Sequence, residues 1–165
     1  DQGRVFRDLL EVGPYPHYVA AEAVGREPGP PPKAGRPPEG VLNAQPILTE
    51  LQDRSANYRS GDAKHVLNLT LLPMTEPDLE WLVDTLGMGP VDALSRSYGQ
   101  CHIQSTVLPN VWWVRYFNSM RKLILNTIEV VDTPEVLCAA PEDLADSAGR
   151  LADLLEPYRE EHGHA

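Results

Sequence analysis

The sequence reads as an α+β domain: a largely antiparallel sheet of about four to five strands with helices packed on one face. Two observations carry this. Between Leu86 and Pro134 short β-prone pieces follow one another, separated only by Gly99, by Pro109-Asn110 and by Asn118-Ser119-Met120-Arg121. Connections that short make neighbouring strands antiparallel. On either side of this stretch the apolar residues recur at helical spacing instead, so each flanking helix has one stripe to bury against the sheet.

Taken along the chain, residues 25–40 hold ten Pro or Gly in sixteen positions, too many for helix or sheet ladders, so they form an extended linker or a strap. Residues 1–40 are therefore an N-terminal extension, with a short helix over Arg4–Glu11 and Tyr15, His17 and Tyr18 docking on the domain. Residues 41–165 form a single α+β domain. Ala44, Ile47, Leu48, Leu51 and Tyr58 define a helix over 44–59, with Pro46 tolerated in its first turn. His65 to Leu72 alternates, with Leu67, Leu69 and Leu71 on one side, as a half-buried strand does, and Pro73 stops it.

Thr75-Glu76-Pro77-Asp78 is a helix start, with the Thr75 hydroxyl as cap and Asp78 at the third helical position. Leu79, Leu82, Val83 and Leu86 give that helix its stripe, and Gly87 stands where a left-handed terminating residue belongs. Strands follow near 90–98, 100–107, 111–118 and 122–131. Thr133-Pro134 and Ala140-Pro141 then start two helices, each with Pro in a first turn. Leu144, Ala148, Leu151, Leu155 and Tyr158 line the second and longer one, which Pro157 disturbs.

Composition narrows the function classes. With 165 residues and 42% apolar content one hydrophobic core is expected. A net charge of −10 opposes binding to a phosphate backbone, so no nucleic-acid partner is expected. No apolar run approaches the roughly 20 residues of a membrane span, and Asp1-Gln2-Gly3-Arg4 does not open a secretory signal; the expected location is the cytoplasm. From Pro134 to Ala165 eight acids face only Arg150 and Arg159. That acidic helix serves solubility or offers a landing site for a basic segment.

No catalytic constellation emerges. Cys101 and Cys138 lack CxxC or CxxH spacing, and His17, His65, His102, His162 and His164 lack the spacing of a helical metal motif. In a strand, Cys101 and His102 point to opposite faces, so no metal and no cofactor is assigned. Ser95, Ser97 and Ser105 have no nucleophile elbow, and Gly87-Met88-Gly89 is too short for a phosphate loop. The chain is read as a binding protein, not an enzyme.

The candidate partner-binding residues are Gln104, Trp112, Trp113, Arg115, Tyr116 and Glu129. Glu129 lies mid-strand among Ile128, Val130 and Val131 and needs solvent or a partner, for which Arg115 is a candidate. Consecutive tryptophans face opposite sides of a sheet, so one of the pair is exposed or covered by another segment. Grouped aromatic and Arg side chains are the stuff of interface hot spots. A free sheet edge would allow homo-oligomers.

Leu86-Gly87-Met88-Gly89-Pro90-Val91, Ile103-Gln104-Ser105-Thr106, Pro109-Asn110-Val111-Trp112-Trp113-Val114-Arg115-Tyr116 and Ile128-Glu129-Val130 through Pro134 resemble the C-terminal region of the HupH/HyaF hydrogenase expression proteins. That pattern reads approximately LGxGEVS, IQET, PGVWxVRY and IEVxxIP. Pro90 and Ser105 replace a Glu each, and Asn110 replaces a Gly, a mild change because Asn tolerates positive φ. The resemblance implies a cytoplasmic maturation factor, an assembly chaperone for uptake NiFe hydrogenases. Its implied partners are the iron–sulfur small-subunit precursor or other maturation proteins. The competing reading is a transient iron or iron–sulfur carrier using Cys101, Cys138 and a histidine.

Overall fold

The computed structural model describes residues 11–19, 35–95 and 100–162. The expected helix at 4–11, nearly all of it, and most of the Pro/Gly-rich stretch lie outside the described residues, as do 96–99. The described residues fall into two compact units, one within 18–137 and one joining 11–17 to 138–162.

In the larger unit five strands form one sheet: β1 (His65–Asn68), β2 (Asp92–Ser95), β3 (Gln100–Ser105), β4 (Val111–Phe117) and β5 (Leu123–Val130). Their order is β1-β5-β4-β3-β2, and every neighbouring pair is antiparallel. Helices α1 (Ala44–Asn57) and α2 (Glu76–Leu86) share one core with the sheet. Ile47, Leu48 and Leu51 of α1 and Trp81, Leu82 and Leu86 of α2 meet Val111, Trp113, Ile128 and Val130. Leu51, Leu82 and Leu86 are fully buried, each worth about 1.5–3 kcal/mol relative to exposure.

Asp78 ties these two helices together. As expected, Thr75 caps α2: its hydroxyl accepts from the Asp78 N–H at 3.1 Å while Asp78 Oδ2 accepts from the Thr75 N–H at 2.9 Å. The other oxygen, Oδ1, accepts the N–H groups of Leu42, Asn43 and Ala44 at 2.7, 2.9 and 3.0 Å. It thus supplies the N-terminus of α1 with the cap that Asn43 does not, because the Asn43 amide donates to the Pro73 carbonyl at 2.8 Å. Burial alone would push the Asp78 carboxyl up; the hydrogen bonds from Thr75, Asn43 and Leu42 outweigh it and hold the group far below the usual carboxylate range.

Beyond α2 the chain turns through Gly87, whose φ of 58° lies in the left-handed region and whose N–H donates to the Val83 carbonyl at 3.0 Å. Gly89 is needed for a different reason. Its N–H donates to the Ser105 carbonyl at 2.8 Å, and a Cβ there would stand 2.4 Å from Ser105 Oγ and 2.6 Å from the Thr106 carbonyl oxygen. Gly89→Ala should therefore cost about 2–3 kcal/mol in urea unfolding, through displaced backbone at the end of β3. An unchanged midpoint would contradict this packing. Asn110 takes the positive φ expected of it, 60°.

Two expectations need correction. The strand read over 65–72 ends at Asn68, because the Asn68 side chain accepts from the Thr70 N–H at 3.0 Å and its carbonyl from the Leu71 N–H at 3.1 Å. This Asx turn breaks the alternation and leaves Leu71 exposed. The helix at Thr133-Pro134 is a single 3₁₀ turn, Glu135–Leu137. In β4, Val111, Trp112, Trp113 and Val114 are all buried, a continuous apolar run of the kind that marks a strand covered on both faces, so of the two alternatives for the tryptophan pair the structure has cover by another segment.

The second face is closed in part by the chain leaving β5. The Trp112 indole N–H donates to the Val131 carbonyl at 3.0 Å, Pro134 is fully buried, and Glu135 lies close enough to Tyr116 and Glu129 to act on both electrostatically.

In the smaller unit the Ala139 N–H donates to the Pro14 carbonyl at 2.7 Å, and α3 (Pro141–His162) follows, with Pro157 inside it. No residue from 141 to 157 is buried. The stripe Leu144, Ala148, Leu151 and Leu155 forms as expected but stays uncovered or half-covered; the Tyr158 side chain is outside the described part.

Candidate functional site

Helices α1 and α2 leave part of their sheet face open. The register places Asp92 opposite Gln104, His102 opposite both Leu94 and Arg115, and Gln104 opposite Trp113. Residues two apart share a face, so Asp92, Leu94, His102, Gln104 and Arg115 continue the surface on which Trp113 packs.

These polar side chains hold one another in a closed network. His102 Nε2 is 2.5 Å from Asp92 Oδ1, and the Gln104 amide nitrogen donates to Asp92 Oδ2 at 3.1 Å. Arg115 Nη2 donates to His102 Nδ1 at 2.9 Å and to Gln104 Oε1. With Nδ1 accepting, the proton of a neutral His102 sits on Nε2 and points to Asp92. The Arg115 guanidinium also lies 6.0 Å from the Trp113 ring centroid. The Trp113 N–H in turn donates to Asn126 Oδ1 at 2.6 Å.

Burial pulls the Arg115 pKa down and the Asp92 charge pushes it back. The guanidinium Nε is buried without a partner. Around the network Met88 is 62% and Leu94 45% exposed. A carboxylate, a guanidinium, an imidazole and an amide are thus fixed in place beside accessible apolar surface. Fixed polar groups beside apolar surface are the chemistry from which recognition patches are generally built.

The six residues singled out from the sequence therefore divide. Gln104, Trp113 and Arg115 belong to this patch; Trp112, Tyr116 and Glu129 lie on the opposite face. Neither tryptophan is exposed: Trp112 is covered by another segment and Trp113 by the helices. Arg115 and Glu129 do not meet, because Glu129 is in register with Trp112 and Arg115 with Asn126, three positions along the strand and therefore on opposite faces. Glu129 instead has Lys64 Nζ at 3.8 Å; burial pushes its carboxyl up, and Lys64 and Thr127 pull it back.

Beside Glu129, burial raises the Cys101 thiol to about 11 and the Tyr116 phenol to about 12. Cys101 is therefore held as a poorly nucleophilic thiol, with His102 directed to the other face. Among the described residues no three of His, Cys, Asp and Glu gather as a metal would need.

Asp92 and His102 were not among the residues expected at the site. His102 and Gln104 share a two-residue phase that the sequence displays, but the register bringing them to Asp92 and Arg115 is set across three strands.

The order of motifs along this surface is that of a known family: residues 41–158 match the family model of the HupH hydrogenase expression protein, C-terminal conserved region. The chain belongs to this family. It is 52% identical over 122 residues to the hydrogenase expression/formation protein HoxQ of Cupriavidus necator, covering 74% of this chain and 43% of that protein. It is 42% identical over 156 residues to HupH of Rhizobium leguminosarum bv. viciae, covering 94% and 55%. The chain thus spans about half the length of these curated relatives. The solved structure of HupH from Thiobacillus denitrificans matches with a TM-score of 0.64 and 29% identity over 70% of this chain and 96% of that one.

The fold of the HupH family explains its motifs. In Val114-Arg115-Tyr116 the Arg enters the network and its two neighbours point to the other face. Ser105 is buried and accepts from the Val91 N–H at 2.9 Å, packed beside Gly89. Among the described residues no helix is long and apolar enough to cross a membrane.

Proposed function

We propose that this chain is a non-catalytic accessory factor in the maturation of an uptake NiFe hydrogenase, working in the cytoplasm as an assembly chaperone. Its partner is the iron–sulfur small-subunit precursor or another maturation protein. Family membership supports the pathway, since the relatives are named hydrogenase expression/formation proteins.

The observation that carries a binding role is the Asp92–His102–Gln104–Arg115 network with Met88 and Leu94 exposed beside it. Both carboxylate oxygens of Asp92, both ring nitrogens of His102 and both amide heteroatoms of Gln104 are bonded within the network, and Arg115 Nη2 joins two of these side chains, which is how a surface is kept rigid before a partner arrives. The tagged chain should capture a hydrogenase small-subunit precursor or maturation protein from hydrogenase-expressing cells. If the folded wild-type chain captures no hydrogenase component under those conditions, the proposal is wrong.

A further inference from the structure

Within the Asp92–His102–Gln104–Arg115 network the hydrogen bonds all run one way. Arg115 Nη2 donates to His102 Nδ1 and to Gln104 Oε1, and each of these side chains passes a bond on to Asp92, His102 Nε2 to Oδ1 and the Gln104 amide nitrogen to Oδ2. A cation and an anion are thus joined by two arms, one through an imidazole and one through an amide. The arms answer a proton differently. An amide keeps its donor and its acceptor at any ordinary pH, whereas a guanidinium only donates, so the His102 arm exists only while Nδ1 keeps its lone pair.

His102 stands on β3 directly between Leu94 of β2 and Arg115 of β4, and it is half-buried, so protons reach it from solvent. The described groups facing the imidazole are Asp92 and the apolar Leu94 from β2, Arg115 from β4 and the uncharged Gln104 on its own strand, while Cys101 points to the opposite face. A proton added to Nδ1 turns one N–H against another, that of Arg115 Nη2, and sets two positive charges side by side. On its other side the ring keeps its bond to Asp92, now strengthened because both partners are charged. The protonated ring therefore stays with the carboxylate, and the guanidinium is the part that leaves.

We propose that His102 is the positioning residue of this surface and works as a proton-operated latch. Neutral, it holds the Arg115 guanidinium beside Trp113. Protonated, as imidazoles become between about pH 8 and 5, it stays with Asp92 and releases Arg115 to the Gln104 arm alone. As a control on partner binding the latch rests on the function proposed above; as a property of the chain it does not.

The buried, unpartnered Arg115 Nε–H reports the latch, because its exchange with water requires the guanidinium to move. In nitrogen-15 NMR of the full chain without a partner, at about pH 7.5, His102 is expected to carry its proton on Nε2. At that pH the Arg115 Nε–H should exchange at least about tenfold more slowly than in His102→Ala, the effect of one charge-assisted hydrogen bond. At about pH 5.5 the two rates should converge; comparing two proteins at one pH cancels the intrinsic pH dependence of exchange. His102→Gln, whose amide supplies the same donor and acceptor without a titrating atom, should stay slow at both. A proton on Nδ1 at about pH 7.5, or a ratio of wild type to His102→Ala that does not change with pH, overturns the latch. Over the same interval the affinity of wild type for a purified hydrogenase small-subunit precursor, relative to His102→Gln, should fall about tenfold. A latch that opens while this ratio stays constant stands as a property of the chain and removes the surface from the function proposed above.

Discussion

Asp78→Ala is expected to lower the stability of this protein by about 4 kcal/mol or more, the range reached when a buried charge network loses its centre. The substitution removes the acceptor for three N–H groups at the start of α1 and for the Thr75 N–H at the start of α2, in a site with no solvent exposure. Asp78→Asn keeps one oxygen but turns an amide nitrogen toward donors, and should cost about 2 kcal/mol.

The pH dependence has a definite sign. A carboxyl held low in the folded state contributes stability that is fully present above its unfolded value of about 3.9 and is lost as pH falls toward the folded value. Wild-type stability in urea should therefore decline below about pH 4, and Asp78→Asn should flatten that decline. Equal acid slopes in the two proteins would show that Asp78 is not the group responsible.

Arg115→Ala should abolish partner capture while leaving most of the stability in place. The side chain bonds to His102 and Gln104 and lies against Trp113, but it is only half-buried and outside the shared core of α1, α2 and the sheet. Its removal frees His102 and Gln104 to rotate and uncovers one side of the indole. A loss of affinity of about 30-fold or more is expected, the size of a hot-spot truncation, against a stability change of about 1–2 kcal/mol. Arg115→Lys restores the charge but not the planar fork and should rescue binding poorly. Full rescue by Lys would mean that charge alone matters.

The pattern of what the sequence disclosed has a physical logic. Local chemistry was legible: the Thr75–Asp78 capping box, the turn at Gly87, the positive φ of Asn110 and the periodic stripe of α1 all depend on residues a few positions apart, whereas in the stripe expected for α2 Val83 is exposed and Trp81 is buried instead. Relations across the chain were not. Asp78 also caps a helix that begins 34 residues before it, and no short-range signal marks that. The pairing expected between Arg115 and Glu129 failed because an offset of three positions puts them on opposite faces, which the register of β4 and β5 alone decides. The run Val111-Trp112-Trp113-Val114 did carry its message, since an apolar run without alternation indicates two covered faces; of the two alternatives for the tryptophan pair, exposure or cover by another segment, the structure has the cover.

Under the proposed function, partner binding resides on the sheet face carrying Asp92, His102, Gln104 and Arg115 and not on the face carrying Trp112, Tyr116 and Glu129. That placement is tested most directly by measuring affinity for a purified hydrogenase small-subunit precursor with one variant from each side: Leu94→Glu beside the network, and Glu129→Gln on the opposite face. Leu94→Glu is expected to lose binding and Glu129→Gln to retain it. Loss in Glu129→Gln with Leu94→Glu unaffected would contradict it and move the site to the other side of the sheet.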